Sequence, residues 1–130
     1  MSKPPKPQLL GAVLAALVLL VVGSSQFAAG QSAESGKETF EKRCSGCHAL
    51  DRDKEGPRLR GVYGHVAASV DTFEYSEALK KSKITWTDET LEQWLADPEK
   101  LVPGNDMTFH VEKAAERADI IAYLKENSGK

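Results

Sequence analysis

Apolar residues recur at helical spacing in three stretches of the chain, and polar segments rich in glycine and proline separate these stretches. Intervals of three and four residues bring side chains to one face of a helix, so the pattern predicts helices. No run of strands is indicated anywhere in the sequence. The predicted helices cover residues 34–44, 87–96 and 113–126, with a shorter one at residues 76–81.

The flanking residues place the ends of the second long helix. Thr87 is a good N-cap, because its side chain can accept a hydrogen bond from an unpaired N–H of the first turn. Pro98 disfavours helical backbone in the residue before it, so the helix is expected to end at about Ala96. Residues 101–110 are then predicted to form an extended loop.

The first thirty residues have the layout of an export signal. Lys3 and Lys6 form a positive start, residues 9–23 are an uncharged apolar run, and small residues follow. This order is typical of a cleavable signal peptide over residues 1–30, which leaves a domain over residues 31–130. The alternative is an uncleaved anchor, since a slightly longer run would reach the roughly 20 apolar residues of a membrane span. Either interpretation places the domain outside the cytoplasm, in the periplasm or on the inner membrane facing it.

Composition bounds the size of the domain and the class of partner. The chain has 130 residues, of which 41% are hydrophobic and 28% are charged, and this fits one small globular domain. Its formal net charge is −2, so nothing indicates a nucleic-acid partner. Cleavage after residue 30 would remove Lys3 and Lys6 and change that net charge to −4.

Both cysteines lie in Cys44-Ser45-Gly46-Cys47-His48, a pattern typical of covalent haem attachment. On a helical turn the two thiols share a face and can become thioethers with the haem vinyl groups, while the imidazole turns onto the iron. A redox dithiol would expect a βαβ context, and a structural zinc site would need further ligands. A disulfide between helical residues three apart suits the required geometry poorly. The motif therefore predicts one covalent haem c, with its iron, as the cofactor.

Met107 is the candidate for a second axial ligand of that iron. It is the one methionine that remains if Met1 is lost with the signal peptide, and it follows a Pro-Gly turn, which is an unusual place for core filler. Ligation by histidine and methionine gives a six-coordinate iron of raised potential, which favours electron transfer over catalysis. His65 and His110 are rival ligands, although each is more typical of a surface histidine. His110 is three residues from Met107 and would replace it in a rearranged state.

The order of motifs from Gly36 to Lys125 resembles the class I, mitochondrial-type cytochrome c family. The haem-attachment motif is one match among several, and their common order is more specific than the motif alone. The matching positions are Gly36, Phe40, residues 44–48, Gly56-Pro57, residues 61–64, Tyr75-Ser76, residues 84–86 and 91–95, Pro98, residues 102–104, Met107, Phe109 and residues 117–124.

This resemblance implies an all-α fold in which the N- and C-terminal helices cross around one covalently bound haem. Gly36 would allow the first helix to approach Ile120 and Tyr123 of the last. The implied function is a monomeric one-electron carrier, not an enzyme, that moves electrons between redox proteins. These partners would be membrane respiratory complexes or dehydrogenases on one side and an oxidase or reductase on the other. The alternatives are an enzyme or gas sensor with an open haem position, and a fixed subunit of a respiratory complex held by an uncleaved N-terminus.

The resemblance also implies roles for residues around the haem. The carbonyl group of Pro57 would bind the second ring nitrogen of His48 and fix the tautomer of the ligand. Tyr75 and Trp86 would bond a haem propionate. Phe109 would cover the exposed haem edge beside the methionine.

The chain departs from the family pattern at several positions near the haem. His65 stands in place of an arginine that would pair with the propionate, and Arg60 is the candidate to compensate. Leu79 stands in place of an asparagine near a buried water. Glu99 and Asp106 replace lysines around the haem edge, so that face is expected to carry charges of both signs. Its remaining cations are Arg43, Lys54, Lys100 and Lys113.

Overall fold

The computed structural model describes residues 1–5 and 32–129, so residues 6–30 of the predicted signal segment lie outside it, as do residues 31 and 130. Within the described part the only extended pairing is an isolated bridge between Val66 and Thr85, and the predicted all-α class is confirmed. Among these residues no helix has both the length and the apolar character needed to cross a membrane. The helices are α1 (Ala33–Arg43), α2 (Glu77–Ser82), α3 (Asp88–Ala96), α4 (Pro98–Leu101) and α5 (Ala114–Glu126).

Helices α1 and α5, from the two ends of the domain, pack against each other at a glycine. A Cβ atom at Gly36 would lie 2.0 Å from the carbonyl oxygen of Asp119 and 2.7 Å from Cβ of Tyr123. The rings of Phe40 and Tyr123 lie beside this point, with their centroids 5.4 Å apart. The expected approach to Tyr123 is confirmed, while the nearest backbone belongs to Asp119 rather than to Ile120.

Polar contacts hold both ends of this crossing. At the start of α1 the hydroxyl of Ser32 accepts a hydrogen bond from the N–H of Ser35 at 3.0 Å. The backbone N–H of Ser32 donates to Oδ1 of Asp119 at 3.2 Å. At the end of α1 the guanidinium of Arg43 lies 3.2 Å from the carboxylate of Glu116. The hydrogen bond from Arg43 lowers the pKa of Glu116, so this carboxylate is ionised at neutral pH.

Helix α3 contributes much of the apolar core. Leu91, Trp94 and Leu95 are buried on one face of it and pack with the buried residues of α5. The predicted N-cap is confirmed, because the hydroxyl of Thr87 accepts from the N–H of Thr90. In return, the hydroxyl of Thr90 accepts from the N–H of Thr87 at 2.8 Å. This reciprocal pairing satisfies two of the N–H groups that a helix start otherwise leaves unpaired.

The segment after α3 differs from the predicted extended loop at its beginning. Pro98 ends one helix and starts the next, since α4 begins there and runs to Leu101. The carboxylate of Asp97 caps α4 by accepting from the N–H of Lys100 at 3.1 Å. A proline at the first helical position gives up no helical hydrogen bond and has a suitable φ angle, so it is favourable there. The irregular loop therefore begins only after Leu101.

Candidate haem and iron site

A cavity of about 550 Å³ lies at the centre of the domain. Its walls come from the end of α1, the loops after α1 and α4, and the inner faces of α3 and α5. The volume is in the range of protein sites that hold a cofactor. The lining includes every predicted site residue: Cys44, Cys47, His48, Pro57, Tyr75, Trp86, Met107 and Phe109.

The haem-attachment motif forms a tight turn at the end of α1. The N–H of His48 donates to the carbonyl oxygen of Cys44 at 2.8 Å, and the N–H of Cys47 donates to the same oxygen at 3.1 Å. Cys44 is half-buried and Cys47 is exposed, and both line the cavity. Burial, with a smaller contribution from Cys47, raises the pKa of the Cys44 thiol to about 11. The turn thus places two thiols and an imidazole on one wall.

The imidazole of His48 is held in the form that a metal requires. Its Nδ1 atom lies 2.8 Å from the carbonyl oxygen of Pro57, the contact that the family resemblance implies. A carbonyl oxygen only accepts, so Nδ1 carries the proton and Nε2 keeps its lone pair. Burial lowers the pKa of His48, which favours the neutral ring. Gly56 packs under the ring, because a Cβ atom there would lie 2.3 Å from Cε1 of His48.

Hydrogen-bond donors lie at another part of the lining. Trp86 is only 6% exposed and lines the cavity. Its backbone N–H donates to the carbonyl oxygen of His65 at 2.9 Å, which fixes the residue in place. Burial raises the pKa of Tyr75, whose hydroxyl accepts from the N–H of Val70 at 3.3 Å and keeps its own proton to donate. The two side chains offer donors suited to a carboxylate such as a haem propionate.

The cation that was expected to pair with a propionate is bound elsewhere in the structure. Arg60, the candidate to compensate for the missing arginine, lines the cavity but binds Asp51 and donates to Oδ1 of Asn127 at 3.1 Å. His65 is exposed at the cavity. Arg58 is a further, half-buried cation on the same lining, and no sequence pattern indicated it.

Met107 lies on the loop between α4 and α5, half-buried and on the cavity lining. Phe109 follows it and is 45% exposed, so its ring is partly at the surface. His110 is exposed and does not line the central cavity, but borders a smaller one with Arg43 and Phe109. Of the residues considered as a second iron ligand, Met107 and His65 are therefore on the central lining and His110 is not.

The residues present fit a covalently attached haem. Two thiols, a neutral imidazole, a thioether and two hydrogen-bond donors surround one largely apolar cavity. Three further residues that shape the loop of Met107 were missed as site residues: Glu99, Asn105 and Arg117. Asn105 was detectable in principle, since an asparagine after Pro-Gly often binds the backbone two residues on.

The comparisons with known proteins agree over nearly all of the described domain. A family model described as cytochrome c matches residues 33–128. Cytochrome c type-1 of Ascaris suum is 44% identical over 100 residues, which cover 75% of this chain and 89% of that protein. Cytochrome c of Chlamydomonas reinhardtii is 41% identical over 95 residues, covering 70% and 85%. The structure of cytochrome cH from Methylobacterium extorquens is similar with a TM-score of 0.69 and 43% identity, covering 73% of this chain and 98% of that one.

Proposed function

Because this chain belongs to the cytochrome c family and binds a covalent c-type haem, we propose that it carries single electrons with the iron held between His48 and Met107. The haem iron supplies the one-electron change between two oxidation states. Cys44 and Cys47 would attach the group through thioethers. The redox role follows from the family, while the two iron ligands are proposed from the residues of this chain.

One observation supports the histidine ligand above the others. The contact between Nδ1 of His48 and the carbonyl oxygen of Pro57 keeps the proton on Nδ1 and leaves the lone pair of Nε2 available to a metal. A histidine held this way is a better ligand than a free one, because its tautomer and ring orientation are set before the metal binds.

Met107 supports a carrier rather than an enzyme. If Met107 and His48 both bound the iron, no coordination position would stay open for a substrate or a gas. Tyr75 and Trp86 would hold a propionate, and Phe109 would cover the edge at which electrons leave. The protein is therefore proposed to turn over no substrate.

We propose that the domain works outside the cytoplasm. The support is the layout of residues 1–30, a positive start and an apolar run followed by small residues. The partners would be redox proteins, among them membrane respiratory complexes, with the carrier released by cleavage or held by an uncleaved anchor. Mass spectrometry of the N-terminus of the isolated protein distinguishes the two forms.

The function is tested by intact mass and a redox titration of the purified protein. We expect the mass of the chain plus one haem after denaturation, since both thiols are bonded to it. The titration should show a single one-electron step, and the oxidised protein should show the absorption band of thioether-to-iron ligation. Haem released by acid-acetone from the intact protein would overturn covalent attachment, and a missing thioether band would overturn ligation by Met107.

The charges around the cavity predict a weak salt dependence of electron transfer. Of the four cations expected at this face, Arg43 is paired with the carboxylate of Glu116, whereas Lys54 donates to the neutral backbone carbonyl of Ser45 and keeps its charge. Exposed Asp106 adds negative charge beside Met107. Fields of opposite sign cancel within the Debye length of roughly 8 Å at physiological salt.

The measurement is the rate of electron transfer to the native partner over a range of salt concentration. We expect the rate to change by less than about threefold between 50 and 200 mM salt, because steering requires a field of one sign. Glu112 is a second exposed carboxylate, which borders the smaller cavity with Phe109. The double change Asp106→Lys and Glu112→Lys should speed reaction with a strongly acidic partner, most at low salt. A wild-type rate that drops steeply as salt rises would contradict a mixed-charge face.

A further inference from the structure

The segment that carries Met107 is anchored at both ends. Val102 is 4% exposed at its start and Val111 is 2% exposed at its end. The guanidinium of Arg117 in α5 donates to the carbonyl oxygen of Val111 at 2.7 Å. Between these anchors, contacts inside residues 103–110 and with α4 determine where the methionine lies.

The side chain of Asn105 joins the start of this segment to the methionine. Its Nδ2 atom donates to the carbonyl oxygen of Val102 at 2.9 Å, and its Oδ1 atom accepts from the N–H of Met107 at 2.7 Å. The backbone N–H of Asn105 donates to the same carbonyl at 3.2 Å and closes a turn in which Gly104 has a φ of 84°. Glycine adopts this conformation without the steric cost that other residues have, as a type II turn requires.

Glu99 of α4 holds the same turn from the other side. Its carboxylate oxygens lie 3.1 and 3.2 Å from the N–H of Gly104 and accept a hydrogen bond from it. A bond to an ionised acceptor is stronger than a neutral one. Glu99 was expected on the charged face around the haem edge, and this contact gives it a second, structural role.

We propose that Asn105 and Glu99 are positioning residues that keep Met107 at the iron and so limit how often a competing ligand can take its place. The inference depends on the proposed ligation by Met107. A competitor binds only to the fraction of molecules in which the loop has opened, so its apparent affinity rises in proportion to that fraction. Loss of either side chain removes hydrogen bonds that exist only when the loop is closed.

The test is a titration of the oxidised holoprotein with imidazole as the competing ligand. Asn105→Ala and Glu99→Ala should each raise the apparent affinity for imidazole by roughly three- to tenfold, the effect of about one net hydrogen bond on the open fraction. Asn105→Asp, which keeps an acceptor for the N–H of Met107, should give a smaller increase than Asn105→Ala. Glu99→Gln keeps an acceptor for Gly104 without the charge, so it should also give less than Glu99→Ala.

Asp106→Ala is the matched control. Asp106 lies in the same segment and is exposed, and within residues 32–129 its carboxylate accepts no hydrogen bond. It should bind imidazole like the wild type. Amide hydrogen exchange of the wild type adds a test that needs no variant: the amides of Gly104 and Met107 should be protected relative to that of Asp106.

Two results overturn the proposal and are distinct from a failure of the proposed function. If the wild type shows the thioether band but Asn105→Ala and Glu99→Ala bind imidazole no more tightly than it does, the two residues do not position the methionine. Unprotected amides at Gly104 and Met107 would lead to the same conclusion. If the wild type lacks the thioether band, ligation by Met107 is wrong instead.

Discussion

Met107→Ala is expected to lower the reduction potential by roughly 100 mV or more, a fraction of the range of about 0.8 V that axial ligands span. The reduced variant is also expected to bind carbon monoxide. Both effects follow from the loss of the thioether, because a methionine ligand together with histidine raises the potential and fills the sixth coordination position of the iron. Among residues 32–129 no other methionine is present to take its place. A redox titration and a carbon monoxide difference spectrum measure the two effects.

His110 is the residue that could replace Met107 as an iron ligand in this variant. It is exposed and outside the central lining, so it reaches the iron only if the loop rearranges. A variant that binds no carbon monoxide but has a bis-histidine spectrum would identify His110 as the replacement. The double variant Met107→Ala with His110→Ala should then bind carbon monoxide. A single variant with the spectrum and potential of the wild type would show that Met107 is not the ligand.

Gly36→Ala is expected to destabilise the domain by about 2–4 kcal/mol, as overpacking against fixed atoms does. On an exposed helix the same change would stabilise the protein by up to about 1 kcal/mol. The sign of the stability change therefore shows whether Gly36 lies at a close contact. The added methyl group would lie 2.0 Å from the backbone oxygen of Asp119, which no side-chain rotation can move aside. Helices α1 and α5 would have to separate.

Thermal unfolding of the holoprotein measures this loss, which corresponds to a fall in Tm of roughly 10–20 °C for a domain of about 100 residues. Glu38→Ala is the control on the same helix, because Glu38 is exposed and the change to alanine should alter stability by less than about 0.5 kcal/mol. A Gly36→Ala protein as stable as the wild type would mean that the two helices do not meet as closely as described.

The local part of this structure could be predicted from the sequence. Spacing and caps were sufficient for α1, α3 and α5, because amphipathic faces and an N-cap such as Thr87 act within a few residues. The cysteines and His48 also lie within one turn, so their common wall follows from their order. Pro98 was harder, since a proline can end one helix or begin the next, and the capping carboxylate of Asp97 decides between them.

The tertiary contacts of charged and amide side chains could not be predicted. Arg60 was expected to be available at the haem, but the fold brings it to Asp51 and to Asn127, which is 67 residues away in sequence. Glu99 and Asn105 bind N–H groups of a turn, and no sequence pattern says which of these groups lack a backbone partner. Such contacts depend on backbone geometry that only the folded domain defines.

The crossing of α1 and α5 also determines when the domain can form. Its polar contacts join Ser32 to Asp119 and Arg43 to Glu116, pairs that are 87 and 73 residues apart in sequence. Closing loops of that length costs entropy before any contact offsets it. Because α5 lies so far along the chain, the two helices can meet only after α5 has been synthesised. Ile120 and Leu124 of α5 also line the cavity. The site whose attachment motif lies at the end of α1 is thus completed by α5, the last of the described helices in chain order.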